Sequence, residues 1–290
     1  MPTGITGYTT SDLEKMQRTV IAQARFTQEQ KGCMVGCSEH LDLAQGQSTL
    51  TIPKLGAFAD AEDLQDGVDM TTSQQIANTY TDITTAEIGI KGIVTDKLIR
   101  QMNESVFRML GKLLGDSMNR KIEKDGLDML DGFSTSLGAY STAMTTGYLS
   151  AAITQLEGKT EPAPHPYSYV AHPYQVKLIM DSVAKVGTYP LPIGMSADML
   201  RDYWKGTFDI FGVPVFSNGL LTIASNGSAK GAVFSRSALG YVVSKEVYTE
   251  RQRDASLRAW ELVSVQDSDW VELDDGFGIE MFFACSAPTS

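Results

Sequence analysis

Cysteine and histidine are scarce in this chain, which has three of each among 290 residues. The cysteines are Cys33, Cys37 and Cys285. So few thiols in so long a chain do not indicate a disulfide framework, and we expect reduced thiols in an intracellular setting. His165 and His172 each directly precede a proline, in predicted loop or strand-end positions. We therefore expect structural roles for the histidines rather than general acid–base chemistry.

The sequence also lacks a long apolar run and an excess of positive charge. No stretch of about 18 apolar residues occurs, so no transmembrane helix and no membrane partner are expected. The N-terminal residues MPTGITGYTTSDLEK do not combine a basic region with an apolar segment, so we expect no secretory signal. The net charge of −11 argues against electrostatic binding to nucleic acid or to an anionic membrane.

Known catalytic and cofactor motifs are missing as well. The sequence has no phosphate-binding loop and no nucleophile elbow, and Gly276-Phe277-Gly278 lacks the third glycine of a dinucleotide fingerprint. An alternative interpretation is a zinc site formed by Cys33, Cys37 and His40, with Glu39 as a fourth ligand. The two cysteines are more widely spaced than in common zinc sites, so we favour small buried side chains that bind no metal. We assign no catalytic, cofactor-binding or metal-binding residue and expect no enzymatic activity.

The longest helical signal runs from residue 95 to residue 131. Apolar side chains recur at helical spacing on one face, at Val106, Leu110, Leu113, Leu114, Met118, Ile122 and Met129. The opposite face is polar and comprises Arg108, Lys112, Asp116, Arg120, Glu123 and Lys124. Thr95 and Asn103 are alternative N-caps, and Gly132 suits the C-terminal cap. Three glycines, Gly111, Gly115 and Gly126, each lower helix propensity by roughly 1 kcal/mol, so tertiary contacts must hold this helix.

The region before this helix predicts an N-terminal helix and a long hairpin. Residues 11–31 form an amphipathic helix with a capping box, and residues 32–48 are loop-like. Residues 49–52 predict a strand that ends at Pro53, and residues 76–94 predict a second extended stretch. The connection between the two strands is acidic and carries Asp60, Glu62, Asp63, Asp66 and Asp69. The order of its carboxylates differs from that of a calcium-binding loop. The connection is too weakly hydrophobic to fold alone, so we expect a hairpin that projects from the body and lies across another subunit.

Short elements follow the long helix and predict an α+β chain. Residues 133–147 are loop-like, residues 149–156 form a short helix, and residues 169–172 form a strand that leads into a helix at Pro173. Further short strands fill a mixed lobe over residues 150–245, in which Ser235 is a predicted cap of a short helix, and residues 248–284 return to extended structure. Basic residues on the long helix and these late strands are the natural counter-charges of the acidic connection. We predict inter-subunit contacts for Arg108, Arg120, Arg251, Arg253 and Arg258.

The order of these parts resembles the major capsid protein of tailed double-stranded DNA bacteriophages, which has the Hong Kong 97-type fold. GQSTLTIPKLGAFADAEDLQDGVDM is similar to that family's extended loop. TTAEIGIKGIVTDKLIRQMNESVFRMLGKLLGDSMNRKIEKDGLDMLDGF is similar to its lead-in strand and spine helix. SYVAHPYQVKLI is similar to its entry into the axial domain, and FGVPVFSNGLL, KGAVFSRSALGYVV and RQRDASLRAWELVSVQDSDWVELDDGFGIEMF to its later strands.

The resemblance implies four regions and a structural role. They are an N-terminal arm (1–47), an extended loop (48–92), a peripheral domain with the spine helix (93–149 and 246–290) and an axial domain (150–245). The implied protein assembles with itself, as hexamers and pentamers, into an icosahedral head around double-stranded DNA. It would be a virion component assembled in the host cytoplasm.

The implied partners are other head proteins. The chain before Thr49 is too short for a fused scaffolding domain, so we expect a separate scaffold or none, together with a portal; a decoration protein is left open. The negative charge implies only weak contact with packaged DNA. Since Lys54 is the only lysine between Thr49 and Met70, we predict no covalent cross-linking of subunits through this loop. The alternatives are an encapsulin-like nanocompartment shell and a soluble α+β enzyme or binding protein.

Overall fold

The computed structural model describes residues 32–44, 46–56, 78–101, 105–184 and 209–288, together with scattered positions between 57 and 77. Five helices lie in these ranges: α1 Met34–Cys37, α2 Asp96–Gln101, α3 Ser105–Asp128, α4 Thr146–Glu157 and α5 Pro173–Ala184. The first six strands are β1 Glu39–Asp42, β2 Leu50–Leu55, β3 Asn78–Ile83, β4 Ala86–Thr95, β5 Ser136–Gly138 and β6 Tyr167–Ala171. The other six are β7 Asp209–Ile210, β8 Val213–Ser217, β9 Ser228–Ser235, β10 Leu239–Asp254, β11 Ala259–Glu272 and β12 Gly278–Ala284. Short 3-10 helices occupy Met129–Asp131, Arg236–Ala238 and Asp275–Phe277.

The strands form two main sheets and one hairpin. One sheet has the order β1-β10-β11-β4, in which β1 runs parallel to β10 and the other pairs are antiparallel. The second has the order β5-β12-β9-β6-β8-β7 and contains two parallel pairs, β5 with β12 and β6 with β8. The antiparallel pair β2–β3 stands as a separate two-stranded sheet. The chain is thus α+β, as the sequence predicts.

Helix α3 packs on one face of the four-stranded sheet. Leu114 is buried against Val94 and Leu262, and partly buried Leu110 joins the same cluster. At the far end of the helix, the indole N–H of Trp270 donates to the carbonyl of Ile122 at 2.9 Å. This contact fixes the end of the helix to strand β11.

A second core joins the two sheets, and a third supports the six-stranded sheet. Phe133, Phe234 and Tyr241 pack with the end of α3 and with Met34 of α1. On the other side of the six-stranded sheet, Leu149 and Leu156 of α4 pack with α5 and with strands β6, β9 and β12. The second core therefore contains residues of helix α3 and of both sheets.

Several sequence predictions for local structure are confirmed. The Thr95 hydroxyl accepts from the Leu98 N–H at 3.3 Å, as an N-cap does. Pro173 opens α5 directly after strand β6, and the Ser235 hydroxyl accepts from Ser237 at the start of a 3-10 turn. The Gly132 N–H donates to the Met129 carbonyl at 3.0 Å and closes the helix end.

Other local predictions are wrong. The loop-like stretch 32–48 contains α1 and β1, because β1 pairs with β10, which is distant in sequence. Likewise β5 interrupts the predicted loop 133–147, and β2 continues past Pro53 to Leu55 because that two-stranded pairing tolerates a missing N–H. On α3, Leu113 is 42% exposed whereas Glu123 is buried. The predicted helix at 11–31 and the alternative cap Asn103 lie outside the described residues.

Sheet membership crosses the four predicted regions. Strand β12, near the end of the chain, pairs with β9 in the six-stranded sheet. Strand β10 begins within the predicted axial domain, yet it lies in the four-stranded sheet along its whole length. The predicted boundaries of the arm, the extended loop, and the peripheral and axial domains stay a prediction.

Candidate assembly surfaces

The base of the β2–β3 hairpin is fastened to the body by apolar packing. Ile83 is buried with Leu43 and Val242, and Leu50 and Ile52 pack against the same group. The hairpin connection beyond residue 55 is different: every described position from 56 to 75 whose exposure is known is exposed. The hairpin therefore has an anchored base and a solvent-facing end.

An ion pair adds to this anchor. The Lys54 ammonium lies 2.6 Å from Asp274 Oδ2 in the turn between β11 and β12, and 5.8 Å from the centre of the Phe277 ring. On the other side of this turn, the Lys159 ammonium donates to the Gly276 carbonyl. These groups border an open cavity of about 520 Å³, lined by Lys54, Gly158, Lys159, Thr160, Glu161, Asp274, Gly276 and Phe277.

The same turn gathers three carboxyl groups whose environments differ. Burial raises the pKa of Glu272, and the neighbouring carboxylates of Asp275 and Asp274 raise it further. Burial also acts to raise the pKa of Asp275, but hydrogen bonds from the hydroxyl and N–H of Ser134 outweigh it and lower that pKa. Of the pair Glu272 and Asp275, Asp275 therefore holds the negative charge more readily.

The predicted acidic contact residues lie on the solvent-facing part of the hairpin connection. Asp60, Asp63, Asp66 and Asp69 are all exposed. Glu62 lies outside the described residues. Four exposed carboxylates on one connection give this end of the hairpin a negative field.

The predicted arginine contacts fall on two separate elements. Arg251 and Arg253, on β10, flank the Trp260 ring of β11 at 5.6 and 5.5 Å from its centre. Arg253 is already paired with Asp96 at 2.8 Å. Arg258 is exposed in the β10–β11 turn with φ +48, a conformation rare for a residue with a side chain. Arg251 and Arg258 are the arginines of this group that face solvent without a described ion pair.

The remaining predicted arginines are on helix α3. Arg120 is exposed, and its guanidinium lies 3.5 Å from the Ser117 hydroxyl. The side chain of Arg108 lies outside the described part of the chain. Within the described residues, no ion pair joins Arg251, Arg253 or Arg258 to a carboxylate of the acidic connection.

The alternative zinc ligands are held in other ways. Cys37 is buried at the end of α1, whereas His40 lies exposed on β1 with its Nε2 3.3 Å from Asp42. Burial raises the pKa of both the Cys33 and the Cys37 thiol. Within the described ranges, no group of three or more His, Cys, Asp and Glu side chains is arranged to hold a metal ion.

Glu123 is a buried carboxylate that the helical pattern placed on the exposed face. It is 2% exposed, and its Oε1 accepts from the Cys33 N–H at 2.8 Å and from the Asn218 amide at 2.6 Å. Its Oε2 accepts from the Met34 N–H at 3.1 Å. Periodicity misses this residue because its partners come from distant parts of the chain. A local signal is Gly126, which follows Ile122 on the same side of the helix. A residue without a side chain at this point indicates that another part of the chain packs closely on the helix.

Comparison with known proteins identifies the fold. No protein-family model and no curated protein sequence matches the chain. Solved structures do match. The mature capsid of bacteriophage PhiM1 superposes with a TM-score of 0.70 at 11% identity, over 91% of this chain and 90% of that one. The capsid of cyanophage P-SCSP1u superposes with a TM-score of 0.68 at 13% identity, over 91% and 92% of the two chains.

A third match is an encapsulin rather than a phage capsid. The SrpI encapsulin complex from Synechococcus elongatus PCC 7942 superposes with a TM-score of 0.63 at 10% identity, over 92% of this chain and 94% of that one. All three likenesses span nearly the whole of both chains. The chain therefore has the Hong Kong 97-type fold. Among the described helices, none is long and apolar enough to cross a membrane.

Proposed function

We propose that the chain is the structural subunit of an icosahedral phage head, which forms hexamers and pentamers around double-stranded DNA. The observation that carries this proposal is the superposition on phage capsid chains over about nine-tenths of both partners. A hairpin anchored only at its base supports it, because an exposed polar connection of this length gains stability by lying on another subunit. The proposed role is structural rather than catalytic.

Electron microscopy of the purified chain, expressed alone and with its neighbouring genes, tests this proposal. We expect closed polyhedral shells or hexameric rings. The contents of the shells separate the two kinds of assembly: double-stranded DNA in particles from the complete system supports a phage head, whereas an enclosed enzyme supports an encapsulin-like compartment. A monomer or dimer in both preparations contradicts both, and leaves a soluble enzyme or binding protein.

The acidic connection and the free arginines supply a specific contact within this assembly. We propose that Asp60, Asp63, Asp66 and Asp69 of one subunit approach Arg251 and Arg258 of the next. Trp260 supports this contact, because its ring holds the Arg251 guanidinium at the sheet surface. Arg253 is occupied by Asp96 within its own chain and serves to position the turn. Exposed ion pairs are weak singly, so their effect is on register and assembly rate.

Charge reversal tests this contact. Arg251→Glu is expected to reduce the assembled fraction, and combining it with Asp63→Arg is expected to restore part of the loss. Lys124→Glu, an exposed change on α3, is the matched control and is expected to assemble normally. Equal assembly of Arg251→Glu and the control would show that the acidic connection contacts a different surface.

The remaining partners follow from the same proposal. A separate scaffold and a portal would be supplied by other genes, and a decoration protein remains open. With a net charge of −11, the wall would touch packaged DNA only weakly. Raising the salt is therefore expected to change the contacts between the wall and the packaged DNA little, because few counterions are released or taken up there.

A further inference from the structure

Glu123 joins parts of the chain that are far apart in sequence. Two of them also touch directly, since the Asn218 amide donates to the Cys33 sulfur at 3.9 Å. Glu123 lies on helix α3, and its partners are the backbone of residues 33–34, at the start of α1, and the Asn218 side chain, just after β8. All of these donors are uncharged. A buried carboxylate without a cation depends on every one of its hydrogen bonds, because the lost hydration must be replaced.

The partners on both sides are themselves fixed. On the lobe side, Asn218 is fully buried; its N–H donates to the Ala171 carbonyl at 2.9 Å, and its Oδ1 accepts from the Leu220 N–H at 2.9 Å. The Asn218 amide therefore cannot turn away from Glu123 without disturbing strand β6 and the turn that follows β8.

On the other side, the backbone is pressed against the carboxylate. A Cβ atom added at Gly32 would lie 2.6 Å from Glu123 Oε2, so only glycine allows the chain to pass so close. The Cys33 thiol lies 3.4 Å from Oε1 and further encloses the group. Residues 32–34 thus surround one side of the Glu123 carboxylate and contact both of its oxygens.

We propose that Glu123 couples the segment 32–37 to the turn 218–221, so that loosening either one loosens the other. Residues 32–37 belong to the predicted N-terminal arm, and residues 218–221 belong to the predicted axial domain. On the proposed function, this junction transmits a displacement of the arm to the lobe that surrounds the capsomer axis. Coupling of this type is reciprocal, since it is one free energy shared by two sites.

Hydrogen–deuterium exchange of the full-length chain tests the coupling from both ends. Asn218→Ala removes the amide donor to Glu123, and with it the Oδ1 acceptor of the Leu220 N–H and the amide contact with the Cys33 sulfur. We expect about tenfold faster exchange in peptides that cover residues 33–37, as the loss of a hydrogen bond to a buried charge implies. Gly32→Ala crowds only the arm side, and we expect faster exchange in residues 218–221. Glu123→Gln, which keeps the shape but presents an amide to N–H donors, is expected to loosen both segments.

Lys124→Gln is the control, because it changes the charge of the next residue, which is exposed. The coupling is overturned if Asn218→Ala leaves residues 33–37 unchanged and Gly32→Ala leaves residues 218–221 unchanged. If Glu123→Gln does not fold, the other two variants decide the question without it. The measurement does not require an assembled shell, so its failure is distinct from a failure of the proposed capsid function.

Discussion

Lys54 and Asp274 are joined by an ion pair in which Nζ lies 2.6 Å from Oδ2. The pair links the first strand of the hairpin to the turn before β12. Asp274 is only 10% exposed at its side chain, whereas Lys54 is 47% exposed. A carboxylate so far withdrawn from water needs its partner, and the pair therefore helps to set the direction in which the hairpin leaves the body.

Replacing Lys54 by methionine should loosen the hairpin base. We expect a stability loss of about 1 kcal/mol, because the lysine is half solvated and the pair is partly screened. Exchange of the β2 and β3 amides should become faster. Lys91→Met is a matched control: it removes a 2.7 Å pair with Glu261 of similar exposure, within the four-stranded sheet. Equal hairpin exchange in the two variants would show that apolar packing alone holds the hairpin.

The same ion pair bears on covalent cross-linking between subunits. Lys54 is the only lysine between Thr49 and Met70, and its ammonium group is engaged within its own chain. We expect particles boiled in denaturant to run as a single band at 31.6 kDa. A ladder of higher bands that disappears in Lys54→Met would contradict this prediction and identify the reacting residue.

Three glycines of helix α3 should respond differently to alanine. Among the described atoms outside the backbone of the helix itself, none lies within 4 Å of a Cβ added at Gly111 or Gly115, whereas one at Gly126 would lie 2.8 Å from the Trp270 ring. Gly111→Ala should therefore stabilise the free subunit by up to about 1 kcal/mol, through helix propensity. Gly126→Ala should destabilise it by about 1–3 kcal/mol, through overpacking. Urea denaturation checks both, and a stabilised Gly126→Ala would refute the packing argument.

The glycines also show how much of the structure can be predicted from the sequence. Propensity treats all three alike, and only the tertiary structure separates them, because Trp270 comes from a strand far along the chain. Local signals fared well where the physics is local: the Thr95 cap, the helix opened by Pro173 and the Ser235 cap are all formed. Fold class followed from the order of such elements.

Non-local partners explain what the sequence could not supply. Strand β1 is short and polar, and it becomes a strand only because β10 offers it an edge. Glu123 occupies a polar position by helical spacing, and it is buried because residues 33–34 and Asn218 provide its donors. The charged residues that the sequence suggests as inter-subunit contacts stay a prediction, and the pairing of Arg253 with Asp96 could be seen only in the fold.

Glu272 should make the stability of the subunit depend on pH. Burial and the nearby carboxylates of Asp275 and Asp274 raise its pKa above the ordinary 4.5. As pH rises above 4.5, the unfolded chain loses this proton while the folded chain keeps it, so stability falls until the pH passes the folded pKa. Glu272→Gln removes this cost, and its stability relative to the wild type should therefore increase from pH 4 to pH 7.

We expect this increase to be below about 1 kcal/mol, because Glu272 remains partly solvated. Urea denaturation of the unassembled chain at the two pH values gives the difference directly, and a constant effect of lost hydrogen bonds cancels in it. Glu161→Gln, an exposed change on the same cavity, controls for the loss of one negative charge. If Glu272→Gln changes the free energy of unfolding equally at both pH values, or stabilises less at pH 7, then the pKa of Glu272 is not raised in the folded chain.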